Sequence, residues 1–263
     1  MEPVRAARDT SPSPTLVRFH GDLPVVAGGR CQWLEDAGPR SVKDAVEAAG
    51  APHTEVGNVL VDGAEAGFTT RLAGGEVVDV HPPSPGEASP LWPAPPRPPR
   101  FVADVHLGTL ARRLRLLGFD AWYRNDAVDT ELAAIAARDA RILVSRDRGL
   151  LKRRSVVHGY CPRSDEPEEQ ALELARRYGL AVQATPMTRC VRCNGVLEAA
   201  SRHQVADAVP ARSFEAFDTF ARCTACGHVV WPGSHLEALA GFLRRFAATG
   251  RSTAGLTATI GPD

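Results

Sequence analysis

A proline-rich segment divides this chain and constrains its fold more than any other feature. Nine of the eighteen residues from Pro82 to Pro99 are proline, which removes backbone donors and favours extended polyproline geometry. Such a segment cannot build a packed core, so it predicts a semi-rigid spacer. A ligand for a proline-binding partner is the less favoured alternative, because a spacer requires no further component. We therefore expect one domain over residues 15–81, others after residue 99, and disordered tails over 1–14 and 249–263.

Charge is distributed unevenly along the 263 residues, although 31 Lys and Arg balance 31 Asp and Glu. The balance excludes a uniformly basic nucleic-acid binder and an acidic solvating tail, and an apolar fraction of 44% excludes wholesale disorder. Residues 1–81 hold 7 basic and 12 acidic residues, whereas residues 100–160 hold 12 basic and 7 acidic ones. The part after the spacer thus has the charge that a polyanionic ligand requires.

The sequence does not predict a membrane protein or a secreted one. No apolar run approaches the ~20 residues that cross a bilayer, and residues 1–14 lack the apolar stretch and cleavage site of a secretory signal. We expect a cytoplasmic, reducing location, where the six cysteines are metal ligands or free thiols rather than disulfides. Cys31 and Cys161 are isolated, and we interpret them as free thiols.

The part before the spacer predicts a small β-grasp domain. Apolar strand patterns, with a helix capped by Ser41 between them, follow in the order strand, strand, helix, strand, strand. Residues 42–63, VKDAVEAAGAPHTEVGNVLVDG, followed by 75–78, resemble the ubiquitin-like domain fused to certain bacterial ribonucleases and related to small sulfur carriers. We expect an interaction or structural role for this domain. A covalent carrier role is not expected, because Gly74-Gly75 precedes a strand instead of ending the chain.

After the spacer, short apolar strands alternate with helices. The pattern predicts strands at 101–103, 120–123 and 141–144, with helices at about 105–117 and from Asp129. Such alternation is typical of a parallel sheet with right-handed crossovers. In open parallel sheets the active site lies at the carboxyl ends of the strands.

Acidic residues occur at these strand ends. Asp104 and Asp147 each follow a predicted strand, and Asp129 begins a helix. Converging carboxylates repel one another unless a cation lies between them, and oxygen ligands select Mg²⁺ or Mn²⁺, which can promote phosphodiester hydrolysis. Each aspartate can instead cap a helix or a turn, and the residues alone leave both interpretations open. Basic residues suited to an RNA backbone, or to an ordinary solvated face, are Arg112, Arg113, Arg146, Arg148, Lys152 and Arg153.

The segments FVADVHLGTLARRLRLLGFDAWYRND and DTELAAIAARDARILVSRDRGLLKR resemble the mutator-seven C-terminal ribonuclease family, which is PIN-like. The resemblance implies a PIN-like α/β fold and metal-dependent RNA hydrolysis, with Asp104, Asp129 and Asp147 as metal ligands. It further implies that Ser145 holds Asp147 by a hydroxyl hydrogen bond. Secondary acidic candidates are Glu131 and Asp126, and no fourth metal ligand is identified.

Two C-x-x-C pairs predict a zinc site. The pairs are Cys190/Cys193 and Cys223/Cys226, and their spacing lets four thiolates bind one Zn²⁺ tetrahedrally as a structural zinc ribbon. A redox role is the less favoured alternative, because two matched pairs occur without a thioredoxin-like context. The ribbon, with the later motif WPGSH, also matches the ribonuclease family.

We therefore expect an α/β protein with an N-terminal ubiquitin-like β-grasp domain, a proline-rich linker over residues 82–99 and a PIN-like domain over 100–185. A zinc ribbon with a closing helix follows over 186–248. The predicted function is a Mg²⁺- or Mn²⁺-dependent ribonuclease with RNA as its substrate. The alternative is a non-catalytic RNA-binding or adaptor protein with the same fold.

Overall fold

The structure, a computed structural model, describes residues 13–35, 39–85, 89–232 and 234–250, without the side chains of 234–239. The expected disordered tails, 1–14 and 249–263, therefore lie almost entirely outside the described residues. The chain divides into two compact units, Met1–Pro83 with Ala88–Pro93, and Ser84–Glu87 with Ala94–Asp263. None of the described helices is both long and apolar enough to span a membrane.

The first unit is a β-grasp fold. Its strands are β1 (Thr15–Phe19), β2 (Cys31–Leu34), β3 (Arg40–Ser41), β4 (Asn58–Val61), β5 (Ala64–Glu65), β6 (Arg71–Leu72) and β7 (Val77–His81), and its helices are α1 (Leu23–Ala27) and α2 (Val42–Ala48). Five strands form one sheet in the order β2-β1-β7-β4-β5, with β1 and β7 parallel at its centre, and β3 pairs with β6.

Local sequence explains the helix at the centre of this unit. The Ser41 hydroxyl accepts the backbone N–H of Asp44, and the Asp44 carboxylate in turn accepts the backbone N–H of Ser41, so α2 begins with a capping box. Val42, Ala45 and Val46 are fully buried. The helix is therefore held by its cap at one end and by an apolar stripe along its length.

Part of the proline-rich segment packs against this unit. The Trp92 indole N–H donates to the His53 carbonyl at 3.2 Å, and the Trp92 and His53 rings lie 4.9 Å apart. The Ser89 hydroxyl donates to the Gly57 carbonyl at 2.8 Å. These contacts extend the first unit into the segment expected to be a spacer.

The second unit contains a four-stranded parallel sheet in the order β11-β10-β8-β9. The strands are β8 (Phe101–Ala103), β9 (Ala121–Trp122), β10 (Ile142–Val144) and β11 (Gly159–Tyr160), and the helices are α3 (Gly108–Leu116), α4 (Asp129–Arg138), α5 (Arg148–Leu151) and α6 (Pro167–Tyr178). A one-turn 3-10 helix, Val105–Leu107, precedes α3. The sequence pattern did not indicate strand β11, in which glycine, a residue depleted in strands, occupies one of the two positions.

Helices cover both faces of this sheet. Phe101, Ala103 and Val144 belong to a core that includes the apolar residues of α3 and α6. Side chains alternate along a strand, so Val102 and Leu143, both fully buried, face the other side, where α4 packs against β8 and β10.

The ribbon follows α6 as a small antiparallel sheet in the order β12-β13-β14. Its elements are β12 (Leu197–Ala200), α7 (Arg202–Val205), α8 (Ala211–Ala216), β13 (Phe220–Cys223) and β14 (Val229–Val230), followed by α9 (Ser234–Ala248). Trp231 packs against the small core formed by Val205, Phe220 and their neighbours.

Candidate functional site

Two aspartates lie close together at the carboxyl edge of the parallel sheet. Asp104 follows β8 and Asp147 follows β10, and these strands are direct neighbours. The fully buried Ser145 connects them, since its hydroxyl donates to Asp104 Oδ2 at 2.5 Å and accepts the backbone N–H of Asp147 at 2.9 Å. Ser145 therefore holds the Asp104 side chain and the Asp147 backbone, whereas the sequence resemblance implied a bond to Asp147 alone.

Both carboxylates also cap local turns. Asp104 Oδ1 accepts the N–H of Val105 at 2.6 Å, and Asp147 Oδ1 accepts those of Gly149 at 2.7 Å and Leu150 at 3.2 Å. Within the described residues, Asp147 Oδ2 receives no hydrogen bond and neither aspartate forms an ion pair. Neighbouring carboxylates with open acceptor positions and no cationic partner are a donor set that fits a hard divalent cation.

Asp129 lies on the helix that follows the third strand of this edge. It is the first residue of α4, and Val128 occupies the N-cap position. Its Oδ2 lies 3.7 Å from Nη2 of Arg153, just beyond the helix that Asp147 caps. In the part of the chain that the structure describes, the carboxylates of Asp104, Asp129 and Asp147 do not all lie within 4.8 Å of one another. A shared Mg²⁺ would therefore reach part of this set through its water ligands.

The two secondary acidic candidates are engaged by a cation. Arg124 Nε donates to Asp126 Oδ1 at 2.5 Å, and its Nη2 donates to Glu131 Oε2 at 2.6 Å. These contacts distinguish Asp126 and Glu131 from Asp104 and Asp147, whose charges no described cation neutralises.

Two of the predicted RNA-binding arginines make protein contacts instead of pointing freely into solvent. Arg113 donates to Glu168 at 3.0 Å, and its guanidinium carbon lies 5.7 Å from the centre of the Phe242 ring. Arg146 is bound to Asp165 and to the Ser164 carbonyl. Arg113 therefore contributes to the packing of α3 against α6 and α9.

The other predicted cations differ in their exposure. Arg112 is exposed and forms a long 3.4 Å hydrogen bond to Thr109. Arg148 is exposed, whereas Lys152 and Arg153 are half-buried. Arg148, Lys152 and Arg153 lie on or just after α5, so they follow Asp147 directly at the carboxyl edge.

The four ribbon cysteines converge. Their sulfur atoms all lie within 4.8 Å of one another, with Cys190 and Cys226 3.8 Å apart and Cys193 and Cys223 3.4 Å apart. A tetrahedral zinc–thiolate centre with bonds near 2.3 Å separates its sulfurs by about 3.8 Å. The cysteines can therefore hold zinc, and a complete set of four leaves no coordination position for substrate.

Close packing and thiol ionisation both bear on metal binding at these cysteines. Gly195 packs so closely that a Cβ atom there would lie 2.7 Å from the Cys223 sulfur. Burial, reinforced by neighbouring sulfurs, raises the pKa of Cys193 to about 12. Burial also disfavours the Cys223 thiolate, but backbone N–H groups outweigh that effect and lower its pKa to about 7. A bound dication would therefore displace protons from this group.

Buried polar contacts attach the first cysteine pair to the parallel sheet of the second unit. The sequence alone did not reveal these contacts. Arg115 is 4% exposed. Its Nε donates to the Ala121 carbonyl at 2.8 Å, and its Nη1 donates to the carbonyls of Val191 at 3.2 Å and Arg192 at 3.1 Å. Burial lowers the pKa of Arg115. The sequence places Arg115 off the apolar stripe of α3, where it looks like a solvated residue.

Asn194 completes this attachment. Its Oδ1 accepts the Ala121 N–H at 3.0 Å, and its Nδ2 donates to Asp120 at 2.7 Å. Asp120 also forms a two-bond pair with Arg141, at 2.7 and 3.1 Å. Asp120 and Arg141 precede strands β9 and β10, so the cysteines attach at the amino edge of the sheet, opposite Asp104 and Asp147.

These features define a class of protein with a ubiquitin-like β-grasp domain ahead of a PIN-like α/β domain that carries a four-cysteine ribbon. Over residues 99–243 the sequence matches the family model of the Mut7-C RNAse domain, and over residues 30–86 that of the Mut7-C ubiquitin domain. The chain belongs to the Mut7-C RNAse domain family. The family resemblance and the fold class predicted from the motifs are therefore confirmed.

Two solved structures are similar to part of this chain. The small archaeal modifier protein 1 of Haloferax volcanii is 25% identical, with a TM-score of 0.25, covering 28% of this chain and 100% of its own. A putative molybdopterin converting factor subunit 1 from Pyrococcus furiosus is 20% identical, with a TM-score of 0.23, covering 27% of this chain and 98% of its own. No curated protein matches the chain.

Proposed function

We propose that this protein is a ribonuclease that hydrolyses RNA phosphodiester bonds with Mg²⁺ or Mn²⁺ held by Asp104, Asp129 and Asp147. The observation that carries the proposal is the Ser145 bridge between two aspartates at the carboxyl edge of the sheet. Membership in a family described by its RNAse domain supports the same reaction. When bound, the divalent ion would activate water and stabilise charge on the scissile phosphate.

The protein groups at this edge have separate tasks in the proposal. Ser145 orients Asp104 through a short, charge-assisted hydrogen bond. The turn bonds of Asp147 engage its Oδ1, so within the described residues its Oδ2 remains available as an acceptor. Arg148, Lys152 and Arg153 bind the RNA backbone beside it. Each phosphate contact adds salt dependence to RNA binding.

Asparagine substitutions test the catalytic proposal. Asp104→Asn and Asp147→Asn remove a ligand charge with little change of shape, so we expect each to slow RNA cleavage about a hundredfold or more. Asp139→Asn is the matched control. Asp139 is ionised, because the hydrogen bonds from Arg138 lower its pKa to about 2, but it follows the far end of α4.

The results of these assays distinguish a ribonuclease from a non-catalytic RNA-binding protein. Cleavage at the parental rate by both variants would contradict the assignment of the metal ligands. Binding of RNA without cleavage by the parent, at every Mn²⁺ concentration, would indicate the alternative of a non-catalytic RNA-binding or adaptor protein.

For the ribbon we propose a structural Zn²⁺ bound by all four cysteines. The sulfur spacing and the absence of space beside Gly195 support this assignment. Because such thiolates persist in a reducing compartment, we also propose a cytoplasmic location. Metal analysis of the purified chain should give about one zinc per chain.

We propose that the ubiquitin-like domain binds a protein partner. Two large apolar side chains are exposed on it, Trp33 at 59% on the edge strand β2 and Val25 at 69% on α1. Gly74 and Gly75 occupy the turn before β7, which supports a non-covalent role. Trp33→Ser in the full chain should reduce partner capture, whereas Val182→Ser, which alters an exposed valine of the second unit, should not.

A further inference from the structure

A guanidinium held in a fixed orientation lies beside the acidic edge. Arg124 follows β9 and donates through Nε to Asp126 and through Nη2 to Glu131, at 2.5 and 2.6 Å. Its guanidinium carbon also lies 5.9 Å from the centre of the Trp122 ring. Two carboxylates thus hold the edge of the guanidinium, and an indole lies against it.

This group is positioned next to the proposed metal ligands. Trp122 pairs with Val102, so both side chains face the side of the sheet on which α4 packs. Glu131 lies in the first turn of α4, two residues after Asp129. Arg124 therefore spans the gap between the outer strand β9 and the helix end that carries Asp129, and its side chain is 49% exposed.

The local charge favours a planar, uncharged ligand over a phosphate. One arginine and two carboxylates carry a net charge of −1, which disfavours an incoming anion. The plane of a guanidinium held at its edge remains available for stacking, and arginine planes stack on unpaired nucleobases. The basic residues on and after α5, described above, are better placed for phosphates.

We propose that Arg124, backed by Trp122, is a stacking platform for one nucleobase of the RNA near the scissile phosphate. This inference rests on the proposed function, because it takes RNA as the ligand of the protein. A base must be unpaired to stack on a protein side chain, so the platform selects single-stranded RNA over a duplex.

The test measures RNA binding by fluorescence anisotropy with a short single-stranded RNA. The full-length protein carries Asp147→Asn, which should slow cleavage about a hundredfold or more. Arg124→Lys keeps the charge and removes the plane, so we expect it to weaken binding about tenfold, within the range of one base-stacking contact. Arg138→Lys is the matched control, because Arg138 is also held by a carboxylate, at 2.8 and 2.9 Å, but lies at the far end of α4.

A second measurement distinguishes stacking from a structural effect. An abasic nucleotide is moved along the RNA one position at a time. When the abasic nucleotide occupies the stacking position, the RNA should bind the Arg124 form about tenfold more weakly than intact RNA does. The Arg124→Lys form should bind both RNAs equally well. A mutation that merely disturbs the fold would not remove this position dependence.

The outcomes also separate this inference from the proposed reaction. Equal binding by the Arg124 and Arg124→Lys forms, or no sensitive abasic position, would overturn the platform even if the parent cleaves RNA. A position-dependent loss of binding, together with a parent that does not cleave RNA, would support the platform and overturn the catalytic proposal. Duplex RNA bound as tightly as single-stranded RNA would also count against the platform.

Discussion

Replacing Asn194 should weaken the attachment of the ribbon to the parallel sheet of the second unit. Its side chain accepts the Ala121 N–H at 3.0 Å and donates to Asp120 at 2.7 Å. Ala121 is fully buried, so its N–H would lose its partner, at a cost of about 1–3 kcal/mol. Loss of the hydrogen bond to the charged Asp120 adds about 1.5–3 kcal/mol.

The backbone conformation of residue 194 adds a separate contribution to the loss of stability. Asn194 has a φ of +70°, a left-handed conformation that costs alanine about 1–2 kcal/mol. We therefore expect Asn194→Ala to lower the free energy of unfolding by about 4 kcal/mol, since such contributions are not fully additive. Asn194→Gly loses the same hydrogen bonds but adopts this φ easily, so it should be about 1 kcal/mol more stable than the alanine variant.

The assay is urea unfolding followed by far-UV circular dichroism, with hydrogen exchange at the Ala121 amide as a local probe. That amide should exchange faster in both variants. Asn125→Ala serves as the control, because Asn125 is exposed in the same unit. If both Asn194 variants unfold within about 1 kcal/mol of the parent and the amide stays protected, the proposed attachment is wrong.

Three further predictions concern the same region. Cys223→Ser should abolish zinc binding, whereas Cys31→Ser, which alters an exposed thiol of the first unit, should retain about one zinc per chain by metal analysis. Gly195→Ala should weaken zinc retention against a chelator, because the added methyl group would lie 2.7 Å from a ligand sulfur. Burial opposes ionisation of Asp120, but its hydrogen bonds outweigh this and hold its pKa below the ordinary value. A lowered folded-state pKa adds stability that is lost as the pH falls through that value, so below about pH 4 the parent should lose more stability than Asp120→Asn in urea unfolding.

Features specified by near neighbours in the chain were predictable from the sequence. The cap of α2 depends on Ser41 and Asp44, three positions apart. Each C-x-x-C pair forms its turn locally, with the N–H of Asn194 donating to the Cys190 carbonyl at 2.8 Å. The order of strands and helices also placed Asp104 and Asp147 at one edge, because parallel strands of one sheet end on the same side.

Contacts between distant parts of the chain were not predictable. Arg112, Arg113 and Arg115 look equivalent in the sequence, yet Arg113 pairs with Glu168, 55 positions away, and Arg115 is buried against the Val191 carbonyl, 76 positions away. Which of these arginines meets solvent depends on where α6 and the ribbon pack, and a helical pattern by itself does not contain that information.

The candidate site likewise has features that the sequence predicts and features that depend on tertiary packing. The sequence alone determined which acidic residues follow strands and which cysteines are paired, since these properties depend on local spacing and strand order. Only the tertiary structure decided that Arg124 holds Asp126 and Glu131, whereas Asp104 and Asp147 form no ion pair within the described residues. The physical reason is that a carboxylate's partner is set by packing between elements, which brings side chains from separate segments to within a few ångströms.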